Sequence, residues 1–166
     1  MKRRAALASA LAACVAGCGP APSARPRPRL PTLQVRDFSG AQQTIVGASG
    51  RPQVINMWAL WCPPCRAELP ALERLADDLA PQGVAVSAIA LEDNLSAVRE
   101  YLARYAARLP GAVLAPKLPV VKELELDKLP QTFLVDAQGG VIAAWIGARD
   151  WDAPKVRNQL LASLKT

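Results

Sequence analysis

The residues with the clearest chemical potential are two cysteines in the stretch Trp58-Ala59-Leu60-Trp61-Cys62-Pro63-Pro64-Cys65-Arg66-Ala67-Glu68. Cysteines three apart can close a disulfide within one helical turn, so the pair can cycle between dithiol and disulfide. A thiol at a helix N-terminus faces unpaired backbone N–H groups and the positive end of the helix dipole, both of which favour the thiolate. Other chemistries compete for such a pair. A zinc site needs two further ligands, and the chain has no histidine to supply them. A structural staple gains little from so short a loop. Copper can bind two thiolates, but such sites usually recruit His or Met, and Met57 is the one candidate nearby. The absence of histidine also removes Cys-His and Ser-His-Asp nucleophile pairs and haem ligation by His. A redox dithiol fits best.

The elements that must position the pair are legible around it. Gln53 to Trp58 is an apolar, β-prone run, and Leu69, Leu72, Leu75, Ala76 and Leu79 mark one face of a helix after the cysteines. The thiols therefore lie at a strand-to-helix junction. Pro70 falls inside that helix, where its missing N–H removes one backbone bond and predicts a kink. Upstream, Leu33 to Phe38 and Gln42 to Val46 flank Ser39-Gly40 as a β-hairpin. Downstream, Val84 to Leu91 reads as a buried parallel strand. Asp93 or Asn94 caps a helix carrying Val98, Tyr101, Leu102, Tyr105, Ala106 and Leu109. A short apolar segment and a short helix over 119–126 follow. The strands Thr132 to Asp136 and Val141 to Ile146 come next, then a last helix begun by Asp152-Ala153-Pro154. The expected order is hairpin, β-α-β-α, then β-β-α: an α/β domain with a mixed central sheet and helices on both faces.

Residues 1–18 read as an export signal, with Lys2-Arg3-Arg4 before an Ala-rich run too short to span a bilayer. The run ends Val15-Ala16-Gly17-Cys18, which resembles the bacterial lipobox; Leu11-Ala12-Ala13-Cys14 resembles it too, but would leave a very short apolar core. Cys18 is thus the expected lipidation site, against the alternative of an ordinary cleaved signal. The processed domain would then keep Cys62 and Cys65 as its thiols. Residues 19–31 form a Pro/Arg-rich linker, extended over roughly 40 Å in polyproline geometry, and the folded domain is expected over 32–166. The net charge of +6 is matched by six cations before that domain, Lys2, Arg3, Arg4, Arg25, Arg27 and Arg29. The rest of the chain is balanced, so no basic face for nucleic acid is expected.

Trp61-Cys62-Pro63-Pro64-Cys65 after an apolar strand, Pro70 in the next helix, and Leu129-Pro130 before Thr132-Phe133-Leu134-Val135-Asp136 resemble a thioredoxin-like fold. The N-terminal hairpin, the Asn56-Met57-Trp58-Ala59-Leu60-Trp61-Cys62 run and Gly147-Ala148-Arg149-Asp150-Trp151 narrow the resemblance to exported TlpA/ResA-like thiol:disulfide reductases. The resemblance implies that Cys62 is the exposed nucleophile and Cys65 the resolving thiol. It implies a cis peptide bond before Pro130, facing the dithiol, with Trp61, Pro63, Pro64 and Leu129 as the docking surface. Thioredoxin carries a buried acid six residues before its first cysteine; here that position is Asn56. Glu68, one turn past Cys65, is the candidate proton carrier, against the alternative of a solvated glutamate paired with Arg66 or Arg74. Trp58, Trp145 and Trp151 read as packing.

No cofactor is expected. The partners implied are periplasmic proteins with disulfides, such as apocytochromes c or copper-site assembly proteins, together with a membrane thiol donor and the membrane itself through the lipid anchor. The protein is expected to be exported, lipid-anchored and facing the periplasm. Two rivals stand beside this reading. A peroxiredoxin-like peroxidase would require a Thr two or three residues before its cysteine, where Ala59 and Leu60 stand. A copper-binding lipoprotein would use the dithiol as ligand.

Overall fold

A computed structural model describes residues 27–45 and 50–165; the signal segment, Cys18 and most of the linker lie outside them. Among the described residues, seven strands form one mixed sheet. In chain order these are β1 (Leu33–Arg36), β2 (Gln42–Ile45), β3 (Gln53–Trp58), β4 (Ala85–Leu91), β5 (Gly111–Leu114), β6 (Gln131–Val135) and β7 (Val141–Ile146), placed side by side as β2-β1-β5-β4-β3-β6-β7. The helices are α1 (Pro63–Leu79), α2 (Leu95–Tyr105), α3 (Pro119–Glu123) and α4 (Pro154–Ser163). The β3, β4 and β5 strands run parallel, while β6 runs antiparallel to β3 and β7 antiparallel to β6.

All six residues of β3 are buried. The strand is flanked by β4 and β6 and covered on both faces, which accounts for its near-continuous apolar sequence. Its alternation separates two cores. Val54 and Trp58 pack with Leu69 and Leu72 of α1, Val98 and Leu102 of α2, and Leu160 of α4. Ile55 and Met57 face the other way, with Leu126, Phe133 and Val135. Cover is therefore unequal: three helices sit on one face, and short α3 with the N-terminal segment on the other.

Two features depart from the sequence reading. The apolar segment after Pro110 is a strand, β5, pairing parallel with β4 and antiparallel with β1. Four residues with glycine and alanine among them carry weak β-propensity, so the assignment comes from the neighbours. Gly111 sits so close that a Cβ there would stand 2.6 Å from Leu102 Cδ1. The hairpin joins the sheet through this strand. Second, residues 27–31 pack against the domain, although their composition reads as linker. Leu30 N–H donates to the Gly139 carbonyl (3.1 Å), Val141 N–H donates to the Pro28 carbonyl (2.8 Å), and Leu30 is buried. Pro70 lies within α1, which continues past it to Leu79. None of the described helices is long and apolar enough to cross a membrane.

Candidate redox site

Between β3 and α1 the chain turns in three residues, Ala59 to Trp61. The turn is held by Cys62 N–H donating to the Ala59 carbonyl (3.2 Å) and Leu60 N–H donating to the Glu92 carboxylate at the end of β4 (2.9 Å). Cys62 is the N-cap of α1, with extended backbone at φ −98°, ψ 100°. Pro63 and Pro64 fill the first two helical positions, where a missing N–H costs no intrahelical bond. The first free donor of the helix is Cys65 N–H, which points at Cys62 Sγ at 3.3 Å. No acidic residue occupies the first turn, so nothing there offsets the positive end of the helix dipole. The cysteines are joined as a disulfide, their Cα atoms 5.3 Å apart.

The expected exposure of Cys62 is corrected. In the disulfide form Cys62 is 4% exposed and Cys65 fully buried. The turn folds Ala59 and Cys62 into the core containing Trp58, and it is Trp61 that points outward, 62% exposed. Pro63 and Pro64 are exposed beside it, and Leu129 is half-buried.

Glu68 lies one turn past Cys65 and is buried at 5% exposure. Its partners are neither Arg66 nor Arg74; the latter pairs with Asp152 at 2.5 Å. Glu68 Oε1 accepts from Asn56 Nδ2 (2.7 Å), and Oε2 accepts from Arg149 N–H (3.0 Å) and Trp151 Nε1 (3.3 Å). Burial pushes the Glu68 carboxyl above its ordinary value, because the desolvated charge outweighs these bonds and the Arg149 cation, all of which pull the other way. Asn56 also donates to Thr132 Oγ1 (3.0 Å), its partner across the β3–β6 ladder. Asn56 Oδ1 has no hydrogen-bond partner among the described residues. The missing acid at position 56 is thus replaced by an amide that holds the acid of α1.

The Leu129–Pro130 bond is cis. Met57 faces Gln131 across the ladder, so Pro130 comes level with Trp58, beside the turn that carries the thiols. The Pro130 carbonyl accepts from Gly147 N–H (2.8 Å). An open groove of about 460 Å³ runs along α1, lined by Pro64, Ala67, Glu68, Arg149 and Asp150 among others, and leads from Glu68 to solvent.

Asn56, Thr132, Arg149 and Trp151 complete the Glu68 environment. Sequence reasoning singled out Asn56 only as a missing acid, and read Trp151 as packing. Trp151 does pack edge-on against Trp145, ring centroids 5.9 Å apart, but its N–H serves the glutamate. The one usable signal was chemical: a buried carboxylate needs donors, and their identity was not local. Met57 faces the core opposite to the one containing the cysteines, so it cannot join them as a copper ligand. Among the described residues no group of three or more His, Cys, Asp or Glu gathers as a metal site.

Comparison with known proteins agrees with this geometry. The AhpC/TSA family matches residues 26–144. The thioredoxin-like protein YneN of Bacillus subtilis is 31% identical over 121 residues, covering 70% of this chain and 69% of that protein. The thiol-disulfide oxidoreductase ResA of Bacillus cereus is 26% identical over 117 residues, covering 70% and 67%. Among solved structures, a Chlorobium tepidum chain assigned as thiol:disulfide interchange protein DsbE superposes with a TM-score of 0.72 at 25% identity, over 86% of this chain and 99% of that one.

Proposed function

Because the chain belongs to the AhpC/TSA family and is a thiol-disulfide oxidoreductase of the ResA and DsbE type, we propose that it reduces disulfides of exported partner proteins, with Cys62 as nucleophile. The observation that carries the reading is the placement of Cys62 as N-cap of α1 with buried Glu68 one turn beyond Cys65.

The Cys62 thiolate attacks one sulfur of the partner disulfide. A mixed disulfide forms, and the other partner sulfur leaves as a thiolate. Glu68, as carboxylate, takes the Cys65 proton; Cys65 then attacks Cys62 Sγ, closing the intramolecular disulfide and releasing the second partner sulfur. Glu68 returns its proton to solvent along the groove. Asn56 suits both states of the acid: its Nδ2 donates to the charged carboxylate, and its unpartnered Oδ1, with the amide turned over, accepts from the protonated one. The Leu129 backbone makes no hydrogen bond among the described residues, which leaves it available to an extended partner segment by strand addition.

One N–H aimed at Cys62 Sγ, with two prolines withholding theirs, stabilises the thiolate modestly, which favours a reducing protein. Equilibration with glutathione tests this; a potential near the about −120 mV of a strong oxidant would overturn it. The resemblance to TlpA/ResA-like reductases suggests apocytochromes c or copper-site assembly proteins as clients and re-reduction by a membrane thiol donor. The lipobox-like Val15-Ala16-Gly17-Cys18 after an export-signal pattern supports a periplasm-facing location through lipidated Cys18. Cys65→Ser in cells should accumulate mixed disulfides through Cys62, and the trapped partners would identify the clients. Recovery of no partner, with Cys62 still reactive to alkylation, would refute the client class. Release of the protein from membranes by Cys18→Ala would establish the anchor; unchanged fractionation would exclude it.

A further inference from the structure

We propose that the surface running from the dithiol along α2 is a docking strip that selects client segments bearing carboxylates near the cysteine under attack. The inference rests on the dithiol reading above. Arg66, one turn beyond Cys62, lies over the Tyr101 ring, its Cζ 6.0 Å from the centroid. Tyr101 meets Tyr105 at 4.6 Å between centroids, and Arg104 lies over Tyr105 at 5.5 Å. Tyr101 also contacts Trp58 (5.8 Å), which is fully buried at the end of the strand that delivers the thiols. The four side chains therefore form one continuous stack rooted in the core next to the site.

Its outer end is open to solvent. Arg66 and Arg104 are exposed, Tyr105 is 48% exposed, and Trp61 lies outward on the turn before Cys62. The charges of the strip are unspent. No ion pair among the described residues uses Arg66 or Arg104, whereas Arg74, Arg108 and Arg157 each meet a carboxylate. Glu100, one turn before Arg104 on α2, makes no ion pair with it, and Glu92 is engaged by Leu60 N–H. An aromatic face attracts a guanidinium without consuming its N–H donors, which stay free for bidentate capture of a carboxylate. The balanced charge of the domain makes two such cations beside the thiol a local preference rather than a general attraction. The occupant is thus an acidic, disulfide-bearing peptide segment, its cysteine at Cys62 and its carboxylates along α2.

The test uses the full-length protein, reduced beforehand, and two synthetic disulfide-bridged peptides differing only in residues three to five from the attacked cysteine, glutamates in one and lysines in the other. At low ionic strength the second-order rate for the acidic peptide should exceed that for the basic one about tenfold, and the ratio should fall toward one in ~1 M salt. Arg66→Gln with Arg104→Gln should reduce the ratio to about twofold, and Arg66→Glu with Arg104→Glu should reverse it, whereas Arg27→Gln, in the pair with Asp136 at the end of β6 away from Pro130, should leave it unchanged. A ratio near one in the wild type, or one that survives the double substitution, overturns the strip. Hydroxyethyl disulfide, small and uncharged, separates the two failures. If it is reduced while the peptides are not distinguished, the strip alone is wrong; if it is not reduced, the dithiol reading falls and takes the strip with it.

Discussion

The two cysteines look onto opposite kinds of surroundings. Around Cys65, Glu68 is held by an amide from β3, a backbone N–H at Arg149 and an indole N–H from Trp151. These partners come from inside the fold. Around Cys62, the groups that could serve a partner are outward: Trp61, Pro63, Pro64, Arg66 and Tyr105. The inner side works through desolvation, which salt scarcely reaches, and the outer side through exposed charges that a Debye length of about 8–10 Å screens at ordinary ionic strength. The proposed proton handling and partner choice are therefore separable, because they would rest on different residues and different physics.

The largest effect should come from Glu68→Gln. Loss of the proton acceptor for Cys65 should slow multiple-turnover reduction at neutral pH about 10- to 100-fold. The wild-type resolution rate should rise as pH climbs through the raised Glu68 pKa, and that inflection should vanish in the variant, read by stopped-flow mixed-disulfide decay. Stability should follow with the opposite sign. A carboxyl whose folded pKa is raised holds a proton that the unfolded chain releases, so wild-type stability falls as pH rises from the ordinary carboxylate value through the folded one. The variant lacks that slope, so its stability relative to wild type should grow as pH climbs from the ordinary carboxylate value through the raised one, in thermal melts of the disulfide form. A difference that stays constant with pH would break the claim that the inner side is governed by desolvation.

Asn56→Ala should come next. It removes a donor from Glu68 and one from Thr132, at a cost of about 1–3 kcal/mol in urea unfolding, and moves the kinetic inflection further up. Trp151→Phe deletes the indole N–H that serves Glu68 and, because phenyl is smaller than the fully buried indole, leaves a void beside Trp145. We expect the void to add about 1–3 kcal/mol to the cost of the lost hydrogen bond, and a smaller upward move of the same inflection than in Asn56→Ala; a downward move would show that Trp151 does not act on Glu68 through its hydrogen bond. Least affected should be Arg74→Ala, which breaks an exposed pair with Asp152 and should leave both the inflection and the exchange rate where they were. A large change there would mean that the inner site extends to its exposed rim.

Much of this arrangement was legible in the chain. The strand before the thiols, the helix after them, a cap for α2 at Asp93 or Asn94, which the structure resolves as Asn94, and the placement of Glu68 one turn past Cys65 all follow from patterns within a few residues. What was not legible has a common cause. The β5 strand exists because β1 and β4 accept it, the segment 27–31 is ordered by the β6–β7 turn, and Cys62 is covered because its turn folds onto Trp58. None of these leaves a periodic or capping signature.

The chemistry is readable from residue order alone: a strand-to-helix dithiol without histidine and with one carboxylate on the same helical face. Side-chain spacing along a helix and capping at its end are local consequences of backbone geometry. How that carboxylate is surrounded depends on the packed chain. Strand register sets Asn56 against Thr132, and the segment after β7 brings Arg149 and Trp151 to Glu68 from more than 80 residues away. Burial and hydrogen bonding are properties of the whole packed chain, and they make of this helical glutamate a buried acid of raised pKa, the state on which its proposed role as proton carrier rests.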